Sequence, residues 1–384
     1  MHKLTTLTLA MSSILLSSNI NAATKVADAR GNAMGNTGVA SADYLTAPFY
    51  NPALATSYKS NDDFGFFIAV DVAANDPDDA IETIDDLQSF MDDYDQSTAS
   101  NSDVEVLEGY LDDLNDNTLA VSAGVGGAIA LPTELVSTNL FARGYTEVVA
   151  ATYISDDSTS SDDATAAQEN YENSEVQLLA FGYVEVGLAF AKEFKVAGEK
   201  VSFGVTPKYQ QMTTYAQKVT IDDFDVDDYD ESENTKNAFN VDLGAAWYID
   251  DFRAAIAIKD LFSQKIKAKS TNVSDTYNLD TQITLGVAYT NDYFVAAIDA
   301  DLTKQSRFEN IDDDTQFIRF GVEGNAWGWA QLRAGYEMDL QDTLDNSFTA
   351  GLGFSPFDLV SLDIAGAYAG ENQLGASVGV AVTF

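Results

Sequence analysis

Cysteine is absent from this chain and histidine occurs once, as His2. Disulfides, thiolate metal sites and thiol redox chemistry are therefore excluded. Removal of the first residues would take the lone imidazole with them. Catalysis by Ser-His, Cys-His or Asp-His pairs, and zinc held by imidazole, then have no residues to run on. The reading is of a protein that is not an enzyme and that has neither metal site nor cofactor. Basic residues are also scarce: 20 Lys and Arg stand against 61 Asp and Glu, a net charge of -41. A phosphate backbone needs a basic patch, so nucleic acid is not an expected partner. No stretch after the first residues is long and apolar enough for a membrane helix, so any membrane span must be built of strands.

The start, MHKLTTLTLAMSSILLSSNINAAT, has a basic Lys3, an apolar run from Leu4 to Leu16 and small residues at Ala22 and Ala23. This is the pattern of a cleaved secretory signal peptide, assigned to residues 1–22.

From residue 61 to Phe384 the chain alternates with period two, the signature of strands. Leu332, Ala334, Tyr336, Met338 and Leu340 share one face, and Arg333, Gly335, Glu337 and Asp339 the other. Ile318, Phe320 and Val322 likewise oppose Arg319, Gly321 and Glu323, while Asp299 and Asp301 mark the polar face of another segment. About fourteen segments follow this rule: 64–72, 118–131, 138–154, 175–192, 199–216, 238–249, 252–260, 281–290, 293–304, 315–325, 330–340, 347–355, 358–368 and 373–384. Small and charged residues on one face with large apolar ones on the other is the pattern of a barrel whose outside meets lipid. The expected fold is all-β, an antiparallel transmembrane barrel of about 14 strands.

Short and long connections alternate. Short ones are Pro132 to Ser137, Glu193 to Gly198, Asp250-Asp251, Asn291-Asp292, Ala326 to Trp329 and Pro356-Phe357. Longer or acidic ones are Ala73 to Asn117, Ser155 to Ser174, Gln217 to Asn237, Leu261 to Asp280 and Lys304 to Asp314, then the briefer Gln341 to Asn346 and Ala369 to Asn372. Outer-membrane barrels keep short turns on the periplasmic side and long loops outside, which with an even strand count puts both barrel ends in the periplasm. Tyr289, Tyr293, Phe294, Trp327, Trp329, Phe354, Phe357, Tyr368 and Phe384 lie near segment ends, as interfacial girdles do. A soluble β-sandwich would also alternate, but would not sort its loops this way.

Ile81, Ile84, Leu87 and Met91, then Val104, Leu107, Leu111 and Leu114, have helical spacing in an acidic background. They predict two amphipathic helices within about 76–115, whose stripes pack together or on the barrel rim. The run from Asp222 to Asp230 offers alternate carboxylates but lacks the glycine and the terminal Glu of a calcium loop, and reads as a solvated loop.

Residues 27–56, ADARGNAMGNTGVASADYLTAPFYNPALAT, are rich in small residues that allow close backbone approach. Arg30-Gly31, Met34-Gly35, Thr37-Gly38-Val39-Ala40 and Tyr50-Asn51-Pro52-Ala53-Leu54 resemble the N-terminal region of the FadL-type superfamily of outer-membrane proteins. They resemble more closely its conjugal-transfer TraF-type branch. The name TraF is shared with a thioredoxin-like protein, whose chemistry a chain without cysteine cannot have. The terminal Val380-Ala381-Val382-Thr383-Phe384 resembles the aromatic signal read by the barrel-assembly machinery, with Phe384 as the residue that carries it. The resemblance implies a monomer in the bacterial outer membrane surrounded by lipid, with residues 23–60 as a hatch and Asn51, Pro52 and Ala53 as the motif that blocks the lumen. Pro52 fixes a turn and Asn51 can satisfy nearby backbone groups.

With the polar faces inward, the lumen gathers Asp299, Asp301, Arg319, Glu323, Arg333 and Glu337, joined by Asp242, Arg253 and Lys259. Cross-strand pairs of this kind brace a barrel, and a charged constriction can also select. Leu179, Phe181 and Tyr183 would supply an apolar route. Two functions are open: a plugged channel for a hydrophobic or amphipathic small molecule, or a structural or surface-interaction protein associated with conjugal transfer.

Overall fold

The computed structural model describes residues 26–59, 62–76, 79–115, 117–224, 232–270, 272–311, 313–326, 328–356, 359–370 and 372–384. Residues 1–22, expected from the sequence to be a signal peptide, lie outside the described residues, as do Trp327, Phe357 and most of the acidic run Asp222 to Asp230.

Sixteen strands follow one another: β1 (Gly65–Asn75), β2 (Thr118–Leu131), β3 (Ser137–Tyr153), β4 (Glu175–Val196), β5 (Glu199–Thr220), β6 (Asn234–Ile249), β7 (Phe252–Lys259), β8 (Gln264–Lys269), β9 (Ser274–Leu279), β10 (Gln282–Thr290), β11 (Phe294–Asp301), β12 (Phe317–Ala326), β13 (Ala330–Asp339), β14 (Ser347–Phe354), β15 (Val360–Gly370) and β16 (Gln373–Thr383). All but β8 and β9 join one closed antiparallel barrel of 14 strands. Closure comes from β1, which pairs with β16 from Gly65↔Thr383 to Asn75↔Gln373 and with β2 from Gly65↔Ala130 to Asn75↔Ala120. A closed ring leaves no edge strand, which is what a sheet in lipid requires.

Alternation fixes which face is which. On β13 Leu332 is 66% exposed and its neighbour Arg333 8%. Phe66, Ile68, Val70, Val184, Val186, Leu352 and Ile364 point outward in the same manner. Large apolar side chains outside and charged ones within is the reverse of a soluble protein and the mark of a lipid-facing wall. The wall has aromatic borders. Phe203, Trp247, Phe252, Tyr293, Trp329, Phe354 and Phe384 are exposed toward the short-turn end, with Tyr209, Phe239, Phe348 and Tyr368 toward the other. Beyond Tyr209 and Phe239 the exterior turns polar, with Gln211 hydrogen-bonded to Asn237 at 3.2 Å and Thr213 to Thr235 at 3.3 Å. Those pairs belong above the membrane.

The sorting of loops is physical as well as numerical. Ala197-Gly198 is a two-residue turn with both residues at positive φ, 53° and 97°, the backbone twist that tight hairpins need. The rim at the long-loop end is uneven, because β4 and β5 have 22 residues each and β7, β11 and β14 only 8. Helices α3 (Ala80–Asp93) and α4 (Asn101–Leu114) occupy the first long connection. Ile84, Leu87, Val104, Leu107, Leu111 and Leu114 pack together and onto Val176 and Leu178 of the tall wall. A capping box between Ser100 and Asp103 starts α4, satisfying amides that would otherwise lack partners.

Two connections hold more structure than their sequences suggest. Ser155 to Ser174 contains a helix, α5 (Asp163–Asn173), whose apolar stripe is only Ala167 and Tyr171 among its buried residues. Leu261 to Asp280 contains the β8–β9 hairpin. Its strands are six residues long, and β8 carries lysine at every second position while β9 is mostly polar, so the alternation resembles a polar loop.

Candidate functional site

Residues 26–57 lie inside the ring, against the inward faces of its strands. Asp28 caps helix α1 (Ala29–Ala33) by accepting from the Arg30 and Gly31 amides at 3.1 Å each. Arg30 then reaches β12, where its guanidinium donates to both oxygens of Glu323, at 2.9 and 3.3 Å, and to the Ser41 carbonyl at 2.9 Å. Two-point contacts of this type are among the stronger polar interactions. On β14 the Thr349 hydroxyl donates to the Ala33 carbonyl at 3.0 Å and accepts from the Gly35 amide at 2.8 Å. On β11 one oxygen of Asp299 accepts from the Gly38 and Val39 amides at 2.7 and 2.9 Å.

The second half of the segment comprises α2 (Ala47–Tyr50) and a 3-10 turn, Pro52–Thr56. Asn51 joins them. Its Nδ2 donates to the Val39 carbonyl at 2.9 Å and its Oδ1 accepts from the Ala53 amide at 3.0 Å, while Pro52 starts the turn where no amide is needed. The Thr56 hydroxyl lies 2.7 Å from that of Ser202 on β5. β14 and β5 stand on opposite sides of the 14-strand ring, so the segment spans the lumen.

Two wall glycines make this fit. A Cβ on Gly244 would lie 1.9 Å from Asn51 Oδ1, and one on Gly204 would lie 2.4 Å from the Ala53 amide nitrogen. Gly244→Val is therefore expected to push Asn51 off the wall while leaving the β6 ladder intact. Overpacking of this kind costs about 1–3 kcal/mol. Loosening of residues 26–57 would be read as new trypsin cleavage at Arg30 in the folded barrel, and unchanged protection would contradict the fit.

Of the charged residues anticipated for the lumen, Asp299, Asp301, Arg319, Glu323, Arg333 and Glu337 are buried, and all of these but Asp299 are ion-paired. Arg319 contacts Asp301 at 3.0 Å and Glu337 at 2.7 Å, and Arg333 contacts Glu323 at 2.6 Å. Asp299 serves the N-terminal segment as described. Arg253 donates to the Ala40 carbonyl at 3.1 Å, and Lys259 sits over the Tyr50 ring at 5.9 Å. Asp242 belongs to a second network that sequence reasoning missed. There the Lys208 ammonium, with a fully buried side chain, lies 3.3, 2.9 and 2.8 Å from Glu185, Asp242 and Asp260. Arg143 reaches Glu185 at 2.5 Å, and Gln210 bridges Glu185 and Asp260 at 2.9 and 2.8 Å. Arg143, Glu185 and Lys208 share the inward phase of Phe141, Phe181 and Met212, a signal that was legible; Asp260, just past β7, had none. Phe384 is exposed, and its amide donates to the Phe64 carbonyl at 2.9 Å.

A third layer lies toward the long loops. Tyr145, Leu179, Phe181, Tyr183 and Met212 form an apolar wall, covered by Ile266, Ala268, Tyr277 and Leu279 of the hairpin and by Phe308. The loop after β11 is tied down by Arg307, whose Nη1 donates to Glu147 Oε2 at 2.9 Å. Asp313 accepts from the Arg307 and Phe308 amides at 2.9 and 2.8 Å. Burial pushes the Asp313 carboxyl from 3.8 up to about 6, and Glu147 adds to the rise, while Arg307 and the two amides oppose it. Between those pH values the seated loop holds a proton that a released loop does not, so seating is favoured as pH falls through about 6. Amide exchange at Arg307 and Phe308 is expected to show more protection at pH 5 than at pH 7, after correction for intrinsic rates. The opposite order would refute the assignment.

The closed antiparallel ring of 14 strands, apolar outside and charged within, defines a transmembrane β-barrel. Residues 48–301 match the family described as "F plasmid transfer operon, TraF, protein", and the chain belongs to that family. The same fold is seen in the TodX monoaromatic hydrocarbon channel carrying the deltaS2S3 mutation, with a TM-score of 0.59, 12% identity, and coverage of 93% of this chain and 98% of that one. A FadL homologue from Pseudomonas aeruginosa matches with a TM-score of 0.54, 10% identity, and coverage of 96% and 99%. Identity this low speaks to the fold. Among curated proteins no match was found.

Proposed function

We propose that the chain is a channel of a Gram-negative outer membrane that passes a hydrophobic or amphipathic small molecule and is closed at rest by residues 23–60. In this reading Asn51, Pro52 and Ala53 form the centre of the hatch, and Asp299, Asp301, Arg319, Glu323, Arg333 and Glu337 brace it and line the path it closes. The observation that carries the reading is the anchorage of one short segment to opposite walls of the ring, through Thr349 on β14 and Ser202 on β5. An apolar wall of Leu179, Phe181 and Tyr183 stands above it and suits an apolar solute. The likeness to a monoaromatic hydrocarbon channel and a FadL homologue supports the same class of solute. Liposomes holding the intact protein or a variant without residues 26–57 provide the test, with toluene uptake as readout. Faster uptake by the deletion is expected, and equal uptake would refute the hatch.

A second reading is favoured by the hairpin and the Phe308 loop, which fill the other end of the lumen. A barrel closed at both ends suits a structural or surface protein whose acidic loops bind a partner, in keeping with a family named for a transfer operon. Pull-downs with loop-deleted variants separate the two, since partner binding would be lost where transport survives.

A further inference from the structure

The Tyr277 ring is packed like a bound molecule. It stacks on Phe181 with ring centres 3.5 Å apart and planes 8° from parallel, and Phe308 meets it edge-on at 5.0 Å. Its hydroxyl is turned toward the carboxylate of Glu147. That carboxylate is buried at 3% exposure. It receives the Tyr145 hydroxyl at 3.0 Å and Arg307 at 2.9 Å, both on Oε2, while Oε1 accepts no hydrogen bond. Phe181, Tyr145 and Glu147 sit on barrel strands β4 and β3, whereas Tyr277 and Phe308 sit on the hairpin and the following loop, outside the barrel ladder.

We infer that the place of the Tyr277 ring is a binding site for one phenolic ring, which the chain's own tyrosine fills in the resting state. The inference rests on the channel reading above and names the solute class. A flat apolar face selects an aromatic ring, and a buried carboxylate oxygen selects a hydroxyl donor over a plain hydrocarbon, because leaving it unpaired is costly. Entry requires the hairpin to lift, exchanging Tyr277 for the solute's ring against Phe181.

Equilibrium dialysis of the detergent-solubilised full chain, with p-cresol and toluene as probes, tests this. Tyr277→Ala should bind p-cresol about tenfold more tightly than toluene, the factor for one hydrogen bond. Tyr277→Phe, which keeps the ring in place, should bind neither. Adding Glu147→Ala to Tyr277→Ala should remove the preference and leave toluene binding. Equal binding of the two probes by Tyr277→Ala, or binding of neither, would overturn the inference. The unmodified chain supplies a check that needs no variant to fold: saturating p-cresol should speed amide exchange across residues 264–279 and toluene should not, and no change with p-cresol would also overturn it. Liposome uptake distinguishes the two levels. Binding with this preference but no uptake would sink the channel and leave the site; uptake without the preference would do the reverse.

Discussion

Replacing Lys208 with Met is expected to destabilise the barrel by about 3–5 kcal/mol, the usual cost of removing one partner from a buried ionic cluster. Methionine fills similar space, so the loss would be electrostatic. The Lys208 ammonium lies within 3.3 Å of Glu185, Asp242 and Asp260. Arg143 still neutralises Glu185, but Asp242 and Asp260 would be left without a cation in contact. A urea midpoint measured in lipid vesicles reports the change. Adding Asp242→Asn and Asp260→Asn should restore most of the stability, because the repulsion then vanishes. A single variant as stable as the parent would show that the cluster is wetter than its burial implies.

The second large effect concerns solute flux. Ala29 and Gly379 face each other between α1 and β16, and a Cβ on Gly379 would lie 3.7 Å from that of Ala29. That spacing matches the mean for disulfides, and the absence of any other cysteine makes the product unambiguous. In the Ala29→Cys, Gly379→Cys variant, oxidation is expected to abolish toluene uptake into liposomes if the segment must move for passage, and a reductant to restore it. The bond would fasten the segment to the wall without touching the apolar layer. Uptake that persists in the oxidised form, with the cross-link verified by mass, would mean the solute does not pass where the hatch sits.

The strands were readable because lipid imposes a strict rule on them. Leu332 beside Arg333, or Phe320 beside Arg319, leaves no choice of face, and a one-residue slip would put a guanidinium in lipid. The N-terminal fit was readable in part: Asn51 and Pro52 announce a turn, but nothing local tells Asn51 that Gly244 leaves room for it. The partners of the charges were least readable. Asp301 and Arg319 occupy neighbouring strands and could be guessed, whereas Arg307 and Glu147 are 160 positions apart and meet only because a loop folds back into the mouth. The hairpin was missed because Lys265, Lys267 and Lys269 mask an alternation whose other face, Ile266 and Ala268, is fully enclosed.

The bond between Arg30 and Glu323 joins residues 293 positions apart, which orders events during assembly. Residues 26–57 are made early, yet their anchors at Asp299, Glu323 and Thr349 are among the last parts of the chain to be made. Contacts at such separation are entropically expensive until the intervening chain is fixed. The segment must therefore wait, and the ring must be nearly shut before its interior can be filled.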